Sequence, residues 1–103
     1  MSSSVISAER DARKARLVLG GDLDMAARFQ AEQALDELLS KPVEQLVIDL
    51  GEVTFLDSTG MGLVLEVHDR ARTEGFKLRL LPGPEDVQRV FELAGVADLL
   101  PFA

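Results

Sequence analysis

Asp57-Ser58-Thr59-Gly60-Met61-Gly62 stands between two apolar runs, residues 46–55 and residues 63–71, in a chain of 103 residues. The first run opens Leu46-Val47-Ile48-Asp49-Leu50, the pattern of a central strand covered on both faces. In the second, Met61, Leu63, Val64, Leu65, Val67 and Ala71 spread around much of a helix, which predicts the most buried α-helix of the fold. Between strand and helix lie an acid, two hydroxyls and two glycines. A hydroxyl there can cap the helix by accepting from its free N–H groups. A phosphate on that hydroxyl is equally favoured by the helix dipole. Ser58 therefore has three readings: a cap, a switch or a nucleophile.

Upstream, residues 5–9 alternate loosely, and Arg16-Leu17-Val18-Leu19 is a second extended run. The charged turn Arg10-Asp11-Ala12-Arg13-Lys14 between them predicts a hairpin, ended by Gly20-Gly21. Residues 1–4 read as a frayed terminus. Asp24 is a good N-cap. Behind it Ala27, Ala31, Ala34, Leu35 and Leu38 recur at helical spacing, opposite Arg28, Glu32, Asp36 and Glu37. Met25 and Phe29 are read as core residues, with an exposed apolar contact beside the Asp24 loop as the alternative. Lys41-Pro42 stops this helix, because the residue before proline resists helix.

Downstream, Glu74-Gly75 ends the second helix, on which Glu66 and Arg70 form an i,i+4 pair worth only ~0.3 kcal/mol. Lys77-Leu78-Arg79-Leu80-Leu81 is a further strand, and Pro82-Gly83-Pro84 a turn. Glu85 and Asp86 suit the positive end of a last helix. Val87, Val90, Phe91 and Ala94 give that helix its core face. Gly95 fits the C′ position, with Val96 closing on Phe91 as in a Schellman stop. Residues 99–102 make a short final strand or a tail. The order β-β-α-β-α-β-α predicts an α/β fold in one domain, residues 1–103. It has a mixed four- to five-stranded sheet, with α-helices packed against it through right-handed crossovers. The Asp57 segment then lies at the carboxyl end of the central strand, where open α/β sheets place ligands and switches.

Composition narrows the function. Eighteen acidic residues against eleven basic ones leave a net charge of −7. That disfavours nucleic acid and anionic membrane as partners, since both need clustered Lys and Arg. No apolar run approaches the ~18 residues of a membrane span, and the N-terminus lacks a signal-peptide core. A cytoplasmic protein is the expectation. There is no cysteine and only one histidine, so neither a disulfide frame nor a metal site is expected.

The chemistry of Ser58 can be weighed residue by residue. A serine nucleophile needs a base within hydrogen-bond reach. The single imidazole, His68, lies ten residues further along the same helix, about 15 Å away, so no catalytic residue is assigned. A Walker loop needs a lysine that is missing here, and a dinucleotide fingerprint needs a third glycine where Leu65 stands. A plain helix cap and a kinase target remain, and the residues alone favour the cap. Phosphate adds roughly −1.5 to −2 charges and three acceptor oxygens. Beside Asp57 and Asp24 it would repel a partner that fits the unmodified surface. Gly60 and Gly62 would let such a partner approach closely.

The hexapeptide resembles the D-S-[ST]-G-[LM]-G signature of STAS domains, the anti-sigma factor antagonist family. Leu19-Gly20-Gly21-Asp22-Leu23-Asp24 resembles the family's G-x-L-D loop. Val47-Ile48-Asp49-Leu50-Gly51-Glu52-Val53-Thr54-Phe55-Leu56 is similar to its strand leading into the site. Leu80-Leu81-Pro82-Gly83-Pro84, with Phe91, Ala94 and Gly95, resembles its last strand and helix. Four segments agree in order and spacing over nearly the whole chain. Met61 replaces the more common leucine at similar volume.

The resemblance implies a binding module and kinase substrate, not an enzyme, with no cofactor. Unphosphorylated, it would bind an anti-sigma factor that is itself a serine kinase and so release a sigma factor. The kinase would phosphorylate Ser58, with Thr59 as a minor acceptor, and a PP2C-type phosphatase would restore the protein. Asp24, Asp57, Ser58, Thr59, Gly60, Met61 and Gly62 would form the partner contact of a monomer. The alternative role that the resemblance leaves open is a non-phosphorylated scaffold or transporter accessory subunit, in which Ser58 is only a cap.

Overall fold

The computed structural model describes residues 4–103. The elements run β1 (Ser4–Asp11), β2 (Lys14–Leu23), α1 (Met25–Leu38), β3 (Gln45–Leu56), α2 (Ser58–Glu74), β4 (Lys77–Leu81), α3 (Glu85–Leu93) and a 3-10 turn, Ala97–Leu99. Of the frayed terminus expected at residues 1–4, residues 1–3 lie outside the described residues and Ser4 opens β1. The sheet order is β1-β2-β3-β4. β1 is antiparallel to β2, and the other pairs are parallel. The C-terminal segment lines the free edge of β4: Leu80 N–H donates to the Pro101 carbonyl at 3.0 Å, and Ala103 N–H donates to the Leu80 carbonyl at 2.9 Å. A single parallel bridge, Leu80 to Phe102, thus takes the place of a fifth strand.

Each parallel step moves one place in the same direction across the sheet. Right-handed crossovers then put all three helices on one face. The register Leu17–Ile48–Leu80 aligns the buried residues of that face. They form one core with Ala27, Ala31 and Leu35 of α1, Leu63, Val64 and Val67 of α2, and Val87 and Phe91 of α3. The reading of the central strand as covered on both faces is therefore corrected. Leu46, Ile48 and Leu50 are buried, whereas Val47 and Asp49 face the helix-free side and are half-buried. There Asp49 pairs with Arg16 at 2.9 Å.

β2 does not end at Gly20-Gly21 but continues through them to Leu23. Its register against β3 slips twice, between Val18 and Gly20 and between Gly21 and Asp22. Each slip gives β3 one extra residue, a bulge that resets the alternation. Burial on β3 accordingly passes from every second residue (Leu46, Ile48, Leu50) to every third (Leu50, Val53, Leu56). This turns Phe55 outward and Leu56 inward.

The Arg10 cluster, expected as a plain solvated turn, does more. Arg10 donates to the carbonyls of Leu38 (2.7 Å), Lys41 (3.1 Å) and Pro42, where α1 ends. α1 has no basic residue in its own last turn, so a neighbouring strand supplies the cation that its negative end favours. Arg10→Ala is expected to lower stability by about 1–2 kcal/mol, read as a lower urea midpoint with an unchanged slope; a midpoint equal to wild type would contradict the clamp. The Schellman stop of α3 forms as expected: Val96 N–H donates to the Phe91 carbonyl at 3.1 Å and Gly95 N–H to the Glu92 carbonyl at 3.0 Å, with Gly95 at φ +76°.

Candidate functional site at the paired helix starts

β2 and β3 end side by side, because Leu23 and Leu56 are register partners. The next residue in each chain segment is an aspartate, and each caps a helix. Asp24 accepts from Ala27 N–H at 2.9 Å. Asp57 accepts from Thr59 N–H at 2.9 Å and from Gly60 N–H at 3.1 Å. Two helix starts and two carboxylates are thus brought together by strand pairing. They stand together, half-buried, at the carboxyl edge of the sheet.

Ser58 is the first residue of α2, not its cap. Its side chain is exposed and its hydroxyl makes no hydrogen bond within the described residues. The cap reading of Ser58 is corrected on this ground: Asp57 already satisfies the N–H groups that a serine cap would take. Thr59 and Met61 are half-buried, and Met61 packs against the core. His68 sits on the same helix as Ser58, ten residues on.

The two glycines differ in what surrounds them. A Cβ on Gly60 would stand 2.7 Å from Leu56 Cδ1, 2.8 Å from Leu23 Cβ and 2.8 Å from the Leu23 carbonyl oxygen. Gly60 is buried, and its missing side chain seats the first turn of α2 on the end of β2. A Cβ on Gly62 would stand 2.8 Å from Arg28 Nη1. That guanidinium crosses from α1, donates to the Thr59 carbonyl at 3.2 Å and pairs with Glu66 at 2.8 Å.

Glu66 is therefore engaged by Arg28 and not by Arg70, which corrects the expected i,i+4 pair. Arg70 binds Glu74 at 2.7 Å and Asp36 at 3.0 Å. The Glu74 hydrogen bond, with help from Asp36, outweighs desolvation and raises the Arg70 guanidinium above its ordinary value.

Met25 and Phe29 are not core residues: they are 75% and 61% exposed. Both precede or follow buried Ala27, which takes the inward direction of α1. With Phe55, 52% exposed at the end of β3, and the partly exposed Leu65 of α2, they place large apolar side chains on the elements that flank Ser58. Arg28 and Phe55 were missed in the sequence. Arg28 lies on the face of α1 that reads as solvated, and Phe55 lies after bulges that no alternation pattern registers.

The fold is an α/β sheet with its helices on one face and an exposed hydroxyl at the start of the helix that follows the central strand. The chain belongs to the STAS domain family: the family described as "Mlab, STAS domain" matches residues 6–101. It is similar to the anti-sigma-B factor antagonist of Listeria monocytogenes, 29% identical over 97% of this chain and 88% of the relative. Its fold is that of the anti-sigma factor antagonist SpoIIAA in its unphosphorylated form, with a TM-score of 0.80 at 24% identity over 96% of this chain and 88% of that one. Against SpoIIAA of Bacillus in the phosphorylated form the TM-score is 0.70, at 24% identity over 96% and 91%. Among the described residues, no helix is long and apolar enough to cross a membrane.

Proposed function

We propose that this chain is a cytoplasmic anti-sigma factor antagonist, switched off by phosphorylation of Ser58. One observation carries the reading: Ser58 presents a free hydroxyl at a helix start whose capping is already done by Asp57. A serine retained only as a cap has nothing to cap here. The naming of the relatives as anti-sigma factor antagonists supports the same role.

The unmodified protein binds an anti-sigma factor that is a serine kinase. Contact is made by Ser58, Thr59, Met61 and Gly62 with the carboxylates of Asp24 and Asp57. Gly60 supports them from beneath, and Met25, Phe29 and Phe55 supply apolar area. The kinase moves the γ-phosphoryl group of ATP to Ser58 Oγ. The new O–P bond forms as the bond to ADP breaks, and the hydroxyl proton leaves to a base on the kinase. Thr59 is a minor acceptor. The added charge beside Asp57 and Asp24 expels the kinase, and a PP2C-type phosphatase reverses the step. The chain acts as a monomer and is itself a substrate, not a catalyst.

The test is phosphoryl transfer from labelled ATP by the host's anti-sigma factor kinase. Wild type is expected to take up one phosphate, and Ser58→Ala is expected to lose nearly all uptake. Equal uptake by the two proteins would move the site elsewhere. No uptake by either would favour a constitutive scaffold.

A further inference from the structure

Ser58, Gly62 and Glu66 follow one another at four-residue spacing along α2, so they share one face of the helix. Arg28 lies along that face. Its Nη1 occupies the space a Gly62 side chain would fill, its Nη2 holds Glu66, and its Nε approaches Glu32 at 3.6 Å. Cβ positions four apart on a helix are about 5–6 Å apart. Helical Cβ bonds lean toward the N-terminus, so the space taken by the guanidinium lies toward Ser58.

We infer that Arg28 is the phosphate-binding residue of this site: a phosphoryl group on Ser58 takes the guanidinium away from Glu66. The inference rests on the reading of Ser58 as the phosphorylated residue. The exchange follows from the relative strength of the two pairings. The Arg28–Glu66 pair is partly exposed, with side chains 30% and 43% accessible, and such pairs are weak. A phosphate dianion offers Arg two parallel charge-assisted bonds at higher charge. Arg28 is already beside the modified residue, because its Nη1 donates to the carbonyl of Thr59, the next residue in the chain, at 3.2 Å.

The consequence reaches beyond Ser58. The groove between α1 and α2 is lined by Phe29, Glu32, Asp36, Glu66 and Arg70. Released from Arg28, Glu66 and Glu32 add uncompensated negative charge to that groove. Phosphorylation thereby alters a partner surface two helical turns from the modified hydroxyl without moving the backbone.

The test uses the full chain with phosphoserine installed at position 58 during translation, so no kinase is involved. The phosphate is titrated by phosphorus NMR, with the charges around it being Asp24, Asp57, Glu32, Glu66 and Arg28. A bound guanidinium holds the second ionisation of the phosphate below its ordinary value of about 6. In Arg28→Gln that ionisation is expected to rise by about one unit. Gly62→Ala is expected to shift it in the same direction, since the new methyl stands against Arg28 Nη1 and crowds its approach to the phosphate, and Arg28→Lys by less.

Equal ionisation in wild type and Arg28→Gln, with matching amide spectra, would overturn the inference. If Arg28→Gln does not fold, equal ionisation in wild type and Gly62→Ala overturns it in the same way. Failure of the Ser58 reading shows separately, as absence of kinase-dependent phosphate, and does not affect this measurement.

Discussion

Ser58→Asp is expected to weaken binding to the anti-sigma factor kinase by about a hundredfold while leaving the protein folded. Like charges brought together at an interface cost several kcal/mol, and about 2.7 kcal/mol is a factor of one hundred. The new carboxylate joins Asp57 and Asp24, which the pairing of Leu23 with Leu56 already places at adjacent helix starts. Stability should barely change, because two opposing effects are similar in size. An acid in the first turn gains about 0.3–1 kcal/mol from the helix dipole, and repulsion from the two capping aspartates removes a comparable amount. Ser58→Ala loses no hydrogen bond, so it should unfold within about 0.5 kcal/mol of wild type and bind persistently. Titration calorimetry with the kinase reads both variants. An Asp variant that binds as tightly as wild type would show that charge at Ser58 is not the switch.

The two glycines of the hexapeptide are expected to respond in opposite ways to the same substitution. Alanine within a helix gains about 1 kcal/mol over glycine from propensity alone. At Gly60 that gain is overcome. The added methyl would press on Leu23 Cβ and the Leu23 carbonyl oxygen at 2.8 Å and on Leu56 Cδ1 at 2.7 Å. The Leu23 contacts belong to the strand end and to the start of α1, so neither can yield without moving the helix start. Overpacking of this kind costs about 1–3 kcal/mol. Gly60→Ala should therefore be net destabilising by about 1–2 kcal/mol and should also weaken partner binding, because α2 is pushed off its seat. At Gly62 the only close neighbour is the far end of the Arg28 side chain, which can swing away. Gly62→Ala should be neutral or slightly stabilising. Paired urea melts decide this: equal losses at both glycines would mean that Arg28 is as rigidly held as the strand end.

Much of the fold was legible because local signals agreed. Asp24 and Gly95 mark helix ends by their own chemistry, and the structure uses each as a terminus. The alternation of strands and helices gives the right-handed crossovers, and from them the mixed sheet. What was not legible depended on partners distant in sequence. Arg10 reads as part of a charged turn, yet its guanidinium ends on carbonyls some thirty residues away. Arg28 reads as solvent-facing on α1, yet it closes over Gly62 of another helix.

The outward turn of Phe55 follows from two bulges set by the pairing of β2 with β3, which hydrophobic period alone cannot reveal. Met25 and Phe29 were placed in the core because large apolar residues usually belong there. Both are exposed instead, because Ala27 and Ala31 take the inward face of α1. Ser58 itself was found by its neighbours, but its freedom from capping could be read only from the hydrogen bonds of Asp57.

Site mapping by mass spectrometry, on the protein taken from its own host under several growth conditions, addresses the phosphorylation of Ser58 most directly. A single phosphate on Ser58, rising and falling with conditions, is the predicted result. Protein that stays unmodified under every condition, or that carries its phosphate on another residue, would contradict it.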